Sequence, residues 1–143
     1  MKILPVSYKY NRRQNVIQFG TKLPKITKEQ QCELKVFSHH IYEYKKGLRN
    51  LILTTEKKSN QEYIENRLQN EGIPYLIQPV KKVINVYFGN ENCINVVKTF
   101  KEPLCKLSDE QDFILGIMLG YDKILQCQRY LKRLSKRLNT SKG

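Results

Sequence analysis

The sequence predicts an α+β domain in which a small three-stranded mixed sheet, built as β-α-β followed by a hairpin, is covered by about five helices. Three observations carry this. Short apolar runs of strand length stand near residues 51–53, 75–77 and 83–88, and between them lie segments whose apolar residues recur every three or four positions. Those periodic segments open on residues that cap helices and close on glycine or proline. At 143 residues and 40% hydrophobic, the chain has the size and composition of one folded domain.

Residues 1–34 read as a basic extension or arm, 35–138 as the domain and 139–143 as a polar tail. In the arm, Asn11-Arg12-Arg13-Gln14-Asn15, Gly20 and Pro24 interrupt short apolar patches. Thr27 and Gln30 have the spacing of a capping box, so a helix is expected from near Lys28, with Leu34, Phe37, Ile41 and Tyr44 on its apolar side and Gly47 as its stop. A strand through Leu34 and Tyr44 is the alternative. Residues 48–55 read as the first strand. Ser59 and Glu62 form a second capping box, opening a helix that buries Ile64 and Leu68 and ends at Gly72. Residues 75–78 and 83–88 are the second and third strands, joined by a short turn. The helix between the first two strands predicts that they run parallel.

Asn90 caps a helix over residues 91–100, which ends before Pro103, and Ser108 with Gln111 opens another over 109–119. Asp109, Glu110 and Asp112 in that first turn complement the helix dipole. After a break at Gly120-Tyr121-Asp122, the stripe Ile124, Leu125, Leu131, Leu134 and Leu138 marks a last helix whose remaining surface is crowded with Lys and Arg. A sheet this small needs covering or pairing, so a homodimer is expected. Phe113, Ile114, Ile117 and Met118 are numerous for a helix facing one core. They are either a dimer interface or the mark of a fully buried central helix.

The net charge of +13 sits at the ends: residues 1–50 carry 11 basic and 3 acidic groups, 51–100 carry 6 and 5, and 101–143 carry 9 and 5. Such a balance attracts acidic proteins, nucleic acid or anionic surfaces, and it also serves plain solubility. No run of about 18 apolar residues occurs and residues 1–10 lack an export signal, so a cytoplasmic protein without membrane contact is expected. Cys32, Cys93, Cys105 and Cys127 form no metal or redox pair in sequence and read as reduced, mostly buried thiols. His39 and His40 point about 100° apart on a helix and cannot grip one metal together; one is expected to pack and the other to be exposed. Neither a phosphate-binding nor a dinucleotide motif is present, so no catalytic, cofactor-binding or metal-ligating residue is assigned. Gly116 and Gly120, four apart, would let a neighbouring element approach closely, and core packing is the expected use.

Several stretches resemble a known family. His39-His40-Ile41-Tyr42-Glu43-Tyr44-Lys45-Lys46-Gly47-Leu48-Arg49-Asn50-Leu51 and Asp112-Phe113-Ile114-Leu115-Gly116-Ile117-Met118-Leu119-Gly120-Tyr121-Asp122 are the longest. With Tyr75-Leu76-Ile77-Gln78-Pro79-Val80, Phe88-Gly89, Gln126-Cys127 and Arg129-Tyr130, they are similar to the small bacterial domain-of-unknown-function family twenty twenty-three over residues 35–138. The resemblance implies three strands, about five helices and a homodimer. It also implies a link to flavodoxins, whose genes often neighbour those of the family, and it defines no catalytic residues.

The expected role is therefore an accessory binding protein whose partner is an acidic protein such as flavodoxin. The docking residues would be Arg129, Lys132, Arg133, Lys136 and Arg137, with Lys45, Lys46 and Arg49 extending the patch. The alternative is a dimeric nucleic-acid binder using the same last helix with Lys9, Arg12, Arg13, Lys22 and Lys25 of the arm. A redox or metal enzyme built on Cys93, Cys105, Cys127 and His39 or His40 is a third reading, with the least support.

Overall fold

The structure is a computed structural model that describes Lys9–Tyr10, as backbone, and residues 23–142. Thr27 starts the first helix as its spacing dictates. Its hydroxyl accepts from the Gln30 amide at 3.1 Å, and the Gln30 side chain accepts from the Thr27 amide at 3.0 Å. The expected single helix is two: α1 (Lys28–Glu33) and α2 (Lys35–Lys45), separated at Leu34. Leu34 leaves helical geometry at φ −86° and ψ 3°, and it is buried in the core. The break lets the chain turn while that side chain stays inside. Gly47, at φ +75°, ends α2 in a Schellman motif: its amide donates to Tyr44 and the Leu48 amide to Glu43.

Strand β2 (Leu51–Lys57) leads through a 3-10 turn, Lys58–Asn60, into α3 (Gln61–Asn70). The capping box expected at Ser59 and Glu62 does not form. Asn60 is the cap position and makes no side-chain cap bond; its side chain instead accepts from Gln30 at 3.2 Å and donates to Glu33 at 3.1 Å. Tying α1 to α3 takes precedence over a local cap here. Then follow β3 (Tyr75–Val80) and β4 (Val83–Gly89), α4 (Glu91–Thr99) capped by Asn90, a 3-10 turn at Leu104–Lys106, α5 (Asp109–Met118) and α6 (Lys123–Thr140). Ser108 and Gln111 form the expected capping box on α5.

The sheet order is β1-β3-β4-β2, where β1 is Lys9–Tyr10 paired to Ile77 and Leu76. Strands β2 and β3 point the same way, as their crossover helix requires, but they do not touch. Strand β4 lies between them and is antiparallel to both, so every pairing is antiparallel and the sheet is not mixed. The β3–β4 hairpin forces this, because its two-residue turn returns β4 alongside β3 and leaves β2 only the far edge of β4.

Alternation along the strands divides the core in two. Ile52, Ile77, Ile84, Val86 and Phe88 face Phe37, Ile41, Ile64 and Leu68 of α2 and α3. Phe37 meets Phe88 edge to face at 5.8 Å. On the other side of the sheet, Leu51, Leu76 and Tyr87 face Ile94 and Val97 of α4 and Leu115 of α5. Packing also reaches back beyond residue 35, since Leu34 is in the first core and Ile26 lies against it. Arg12, Arg13 and Lys22 lie outside the described residues.

Candidate docking surface

The last helix is held on the outside of the fold. None of its residues is buried, and its main contact is with α5. Asp122 starts α6, accepting from the Leu125 amide at 2.9 Å. The short link from Gly120 to Asp122 turns the chain back, so α6 runs antiparallel to α5. Gly116, buried on α5, is what permits close approach: a Cβ there would strike the Gln126 side chain. The expected use of Gly116 in packing therefore holds, between these two helices. Gly120 serves differently, as the left-handed residue that ends α5 at φ +81°.

Arg129, Arg133 and Arg137 recur every four residues and so share one side of α6. That side faces the acidic first turn of α5. Arg129 grips Asp112 with both Nε, at 2.9 Å to Oδ2, and Nη2, at 3.2 Å to Oδ1. Arg133 bridges Asp109 at 2.9 Å and Asp112 at 3.1 Å, and Arg137 reaches Glu110 at 3.0 Å and Asp109 at 3.5 Å. Tyr130 donates to Glu110 at 3.3 Å and stacks obliquely on Phe113. The hydrogen bond from Arg129 holds the Asp112 carboxyl below its ordinary pKa, and that from Arg137 does the same for Glu110. The carboxylates at the start of α5 thus do more than complement a helix dipole. They answer the arginines of the next helix, and the signal was in the sequence as an acidic first turn followed by arginines at i, i+4 and i+8.

Of the eight residues expected to form one basic patch, five are ion-paired within the chain. Besides the three arginines, Lys45 pairs with Glu71 at 2.7 Å and Arg49 with Glu43 at 3.3 Å. Lys46 lies over the Tyr42 ring, 5.6 Å from its centroid. Lys132 and Lys136 have no ion-pair partner among the described residues, and both are exposed. The two groups are also not contiguous. Helix α2, which leads to Lys45, Lys46 and Arg49, packs on one face of the sheet, whereas α5, which carries α6, packs on the other.

The residues expected at a dimer interface are likewise largely engaged inside the chain. Met118 packs against the second core, Phe113 lies on Tyr130 and Ile117 is half-buried; Ile114 is the exposed one. The larger apolar display is on α6 itself. Ile124 is 66% exposed, Leu131 60% and Leu138 55%. These lie about a third of a turn round the helix from the arginine side.

His40 is half-buried against Glu43 at 3.2 Å and near Arg49 at 3.5 Å, while His39 is exposed, as expected of the pair. Burial raises the Glu56 carboxyl, although the Thr54 hydroxyl donates to it at 2.7 Å. The cysteines differ from expectation: all four are free, but Cys32, Cys105 and Cys127 are exposed and only Cys93 is partly covered. Each exposed one sits on a short turn or an outward helix face rather than in a strand. Among the described residues, no group of His, Cys, Asp and Glu could hold a metal ion, and no helix is long and apolar enough to cross a membrane.

The comparison with protein families agrees with the motifs quoted above. A family model for proteins of unknown function, DUF2023, matches residues 35–133. The chain belongs to this family. The match runs from the start of α2 to Arg133, so it takes in the whole β2–β4 sheet, α5 and the first half of α6. No curated protein matches the chain.

Proposed function

We propose that this DUF2023 chain is a non-enzymatic accessory protein that docks an acidic protein, of the flavodoxin class that the family resemblance implies, through α6. One observation carries the reading. Helix α6 has six basic residues and no carboxylate along 18 residues, and the fold displays it with no residue buried. Three of those charges are answered by α5, which fixes the helix in place and leaves Lys132 and Lys136 turned outward. Charge-steered redox encounters are small and transient, and an exposed cationic helix suits them.

The arginines should be left alone in the test, because reversing them would break the attachment of α6 to α5. Lys132→Glu with Lys136→Glu removes only outward charge. With purified flavodoxin at low salt, the association rate should fall at least about tenfold. An unchanged rate would rule the reading out. Tight, salt-sensitive binding of duplex DNA in place of flavodoxin would move the same charges onto phosphate. A homodimer is part of the proposal and is assigned to the free edge of β2, which pairs only with β4. Sedimentation should then give twice the 17.0 kDa chain mass.

A further inference from the structure

We propose that the outer stripe of α6 is a seat for an amphipathic helix of the partner, one with apolar residues at heptad spacing and carboxylates beside them. This rests on the docking reading above and specifies how the partner would bind. Ile124, Cys127, Leu131, Leu134 and Leu138 follow one another at intervals of three, four, three and four. That is the a/d pattern of a coiled-coil seam, kept over two heptads. A helix that packed only on α5 would place such a stripe against α5. Here α5 receives the arginine side instead, and Ile124, Leu131 and Leu138 remain more than half exposed.

Charge decides what covers the stripe. No carboxylate occurs anywhere in α6, and Lys132 and Lys136 are unanswered among the described residues. A second copy laid on this face would bring an identical set of lysines and no acid to meet them. Nucleic acid would answer the lysines but leave the leucines in water. A helix bearing both an apolar seam and flanking Glu or Asp satisfies both, in the manner of helix-in-groove recognition. Gln128 and Ser135, on one flank of the stripe, are small or neutral and do not obstruct such a helix.

The test uses two synthetic 21-residue peptides of one composition: one with Leu at a and d and Glu at e and g, the other with the same residues permuted to destroy the stripe. By fluorescence anisotropy, the full-length protein should bind the heptad peptide at least about tenfold more tightly than the permuted one. Leu131→Gln with Leu138→Gln should abolish that preference; both sites are exposed and glutamine is a good helix former, so the fold is kept. Lys132→Glu with Lys136→Glu should weaken both peptides. Equal binding of the two peptides, still weakened by the lysine reversals, overturns the seat and leaves the docking reading standing. Peptide binding that the lysine reversals do not weaken overturns both. A wild-type dimer that the leucine variants dissociate, or binding to anionic lipid vesicles without binding to the heptad peptide, overturns the seat by assigning the stripe to another occupant.

Discussion

Asp112→Asn should loosen α6 without unfolding the protein. Asp112 makes a two-pronged contact with Arg129 and a second ion pair with Arg133 at 3.1 Å. Arg129 is 56% exposed, so solvent screens the first pair heavily. Exposed pairs are worth about 0.2–1 kcal/mol each, and the two together about 1 kcal/mol, or roughly a fivefold change in the attached fraction of α6. Since α6 has no buried residue, global stability to urea should fall by less than about 1 kcal/mol. Amide exchange over residues 123–140 should report the change, with protection relative to wild type about fivefold lower at pH 7. The sign with pH follows from Arg129 lowering the Asp112 carboxyl. That contribution is complete above the ordinary carboxylate value and is lost as pH falls through the lowered one, so variant and wild type should converge near pH 2. The Asp112→Asn/Arg129→Gln double variant separates the pair from the loss of a charge at the α5 dipole. Strictly additive effects, or unchanged protection in Asp112→Asn, would refute the clamp.

Three further outcomes are expected. Phe37→Ala should cost about 3–5 kcal/mol in urea denaturation, because the ring is fully buried against Phe88 and the sheet cannot collapse into the space; a loss below about 1 kcal/mol would mean that this contact is not central. Glu56→Gln should raise Tm at pH 7.5 and leave it unchanged near pH 4. The native carboxyl is raised by burial, so the native state binds its proton more tightly and ionisation on going to higher pH costs stability. A lower Tm at pH 7.5 would show instead that the charge is wanted. Lys81→Gly should stabilise the β3–β4 hairpin by about 1 kcal/mol, since Lys81 sits at φ 53° where a Cβ is strained; no gain in urea midpoint would contradict this.

Local chemistry was legible in the sequence and pairing between distant elements was not. Thr27, Asn90 and Ser108 cap the helices their spacings indicate, and Gly47, Gly72 and Gly120 lie at helix ends in left-handed geometry. Strand direction was legible too, because a crossover helix constrains it. Strand adjacency was not: hydrophobic runs at β2, β3 and β4 are equally compatible with β4 outside or between, and only the ladder from Leu51–Gly89 to Lys57–Val83 decides. At Leu34 and Asn60, tertiary demand displaced local preference, giving a helix break and an abandoned capping box. The basic last helix was visible as charge. That its arginines and lysines serve different ends could be seen only once α5 and α6 were side by side.

This division of labour changes what salt can reveal. Raising ionic strength screens the steering field of Lys132 and Lys136, and it also weakens the exposed arginine–carboxylate contacts that keep α6 on α5. A loss of partner binding in high salt would therefore mix two causes, weaker attraction and a less firmly held helix. Exchange protection over residues 123–140 tracks the second alone. If binding falls in salt while protection persists, the outward lysines carry the effect. If the two fall together, the partner needs α6 seated on α5, and the acidic turn of α5 contributes to recognition without touching the partner.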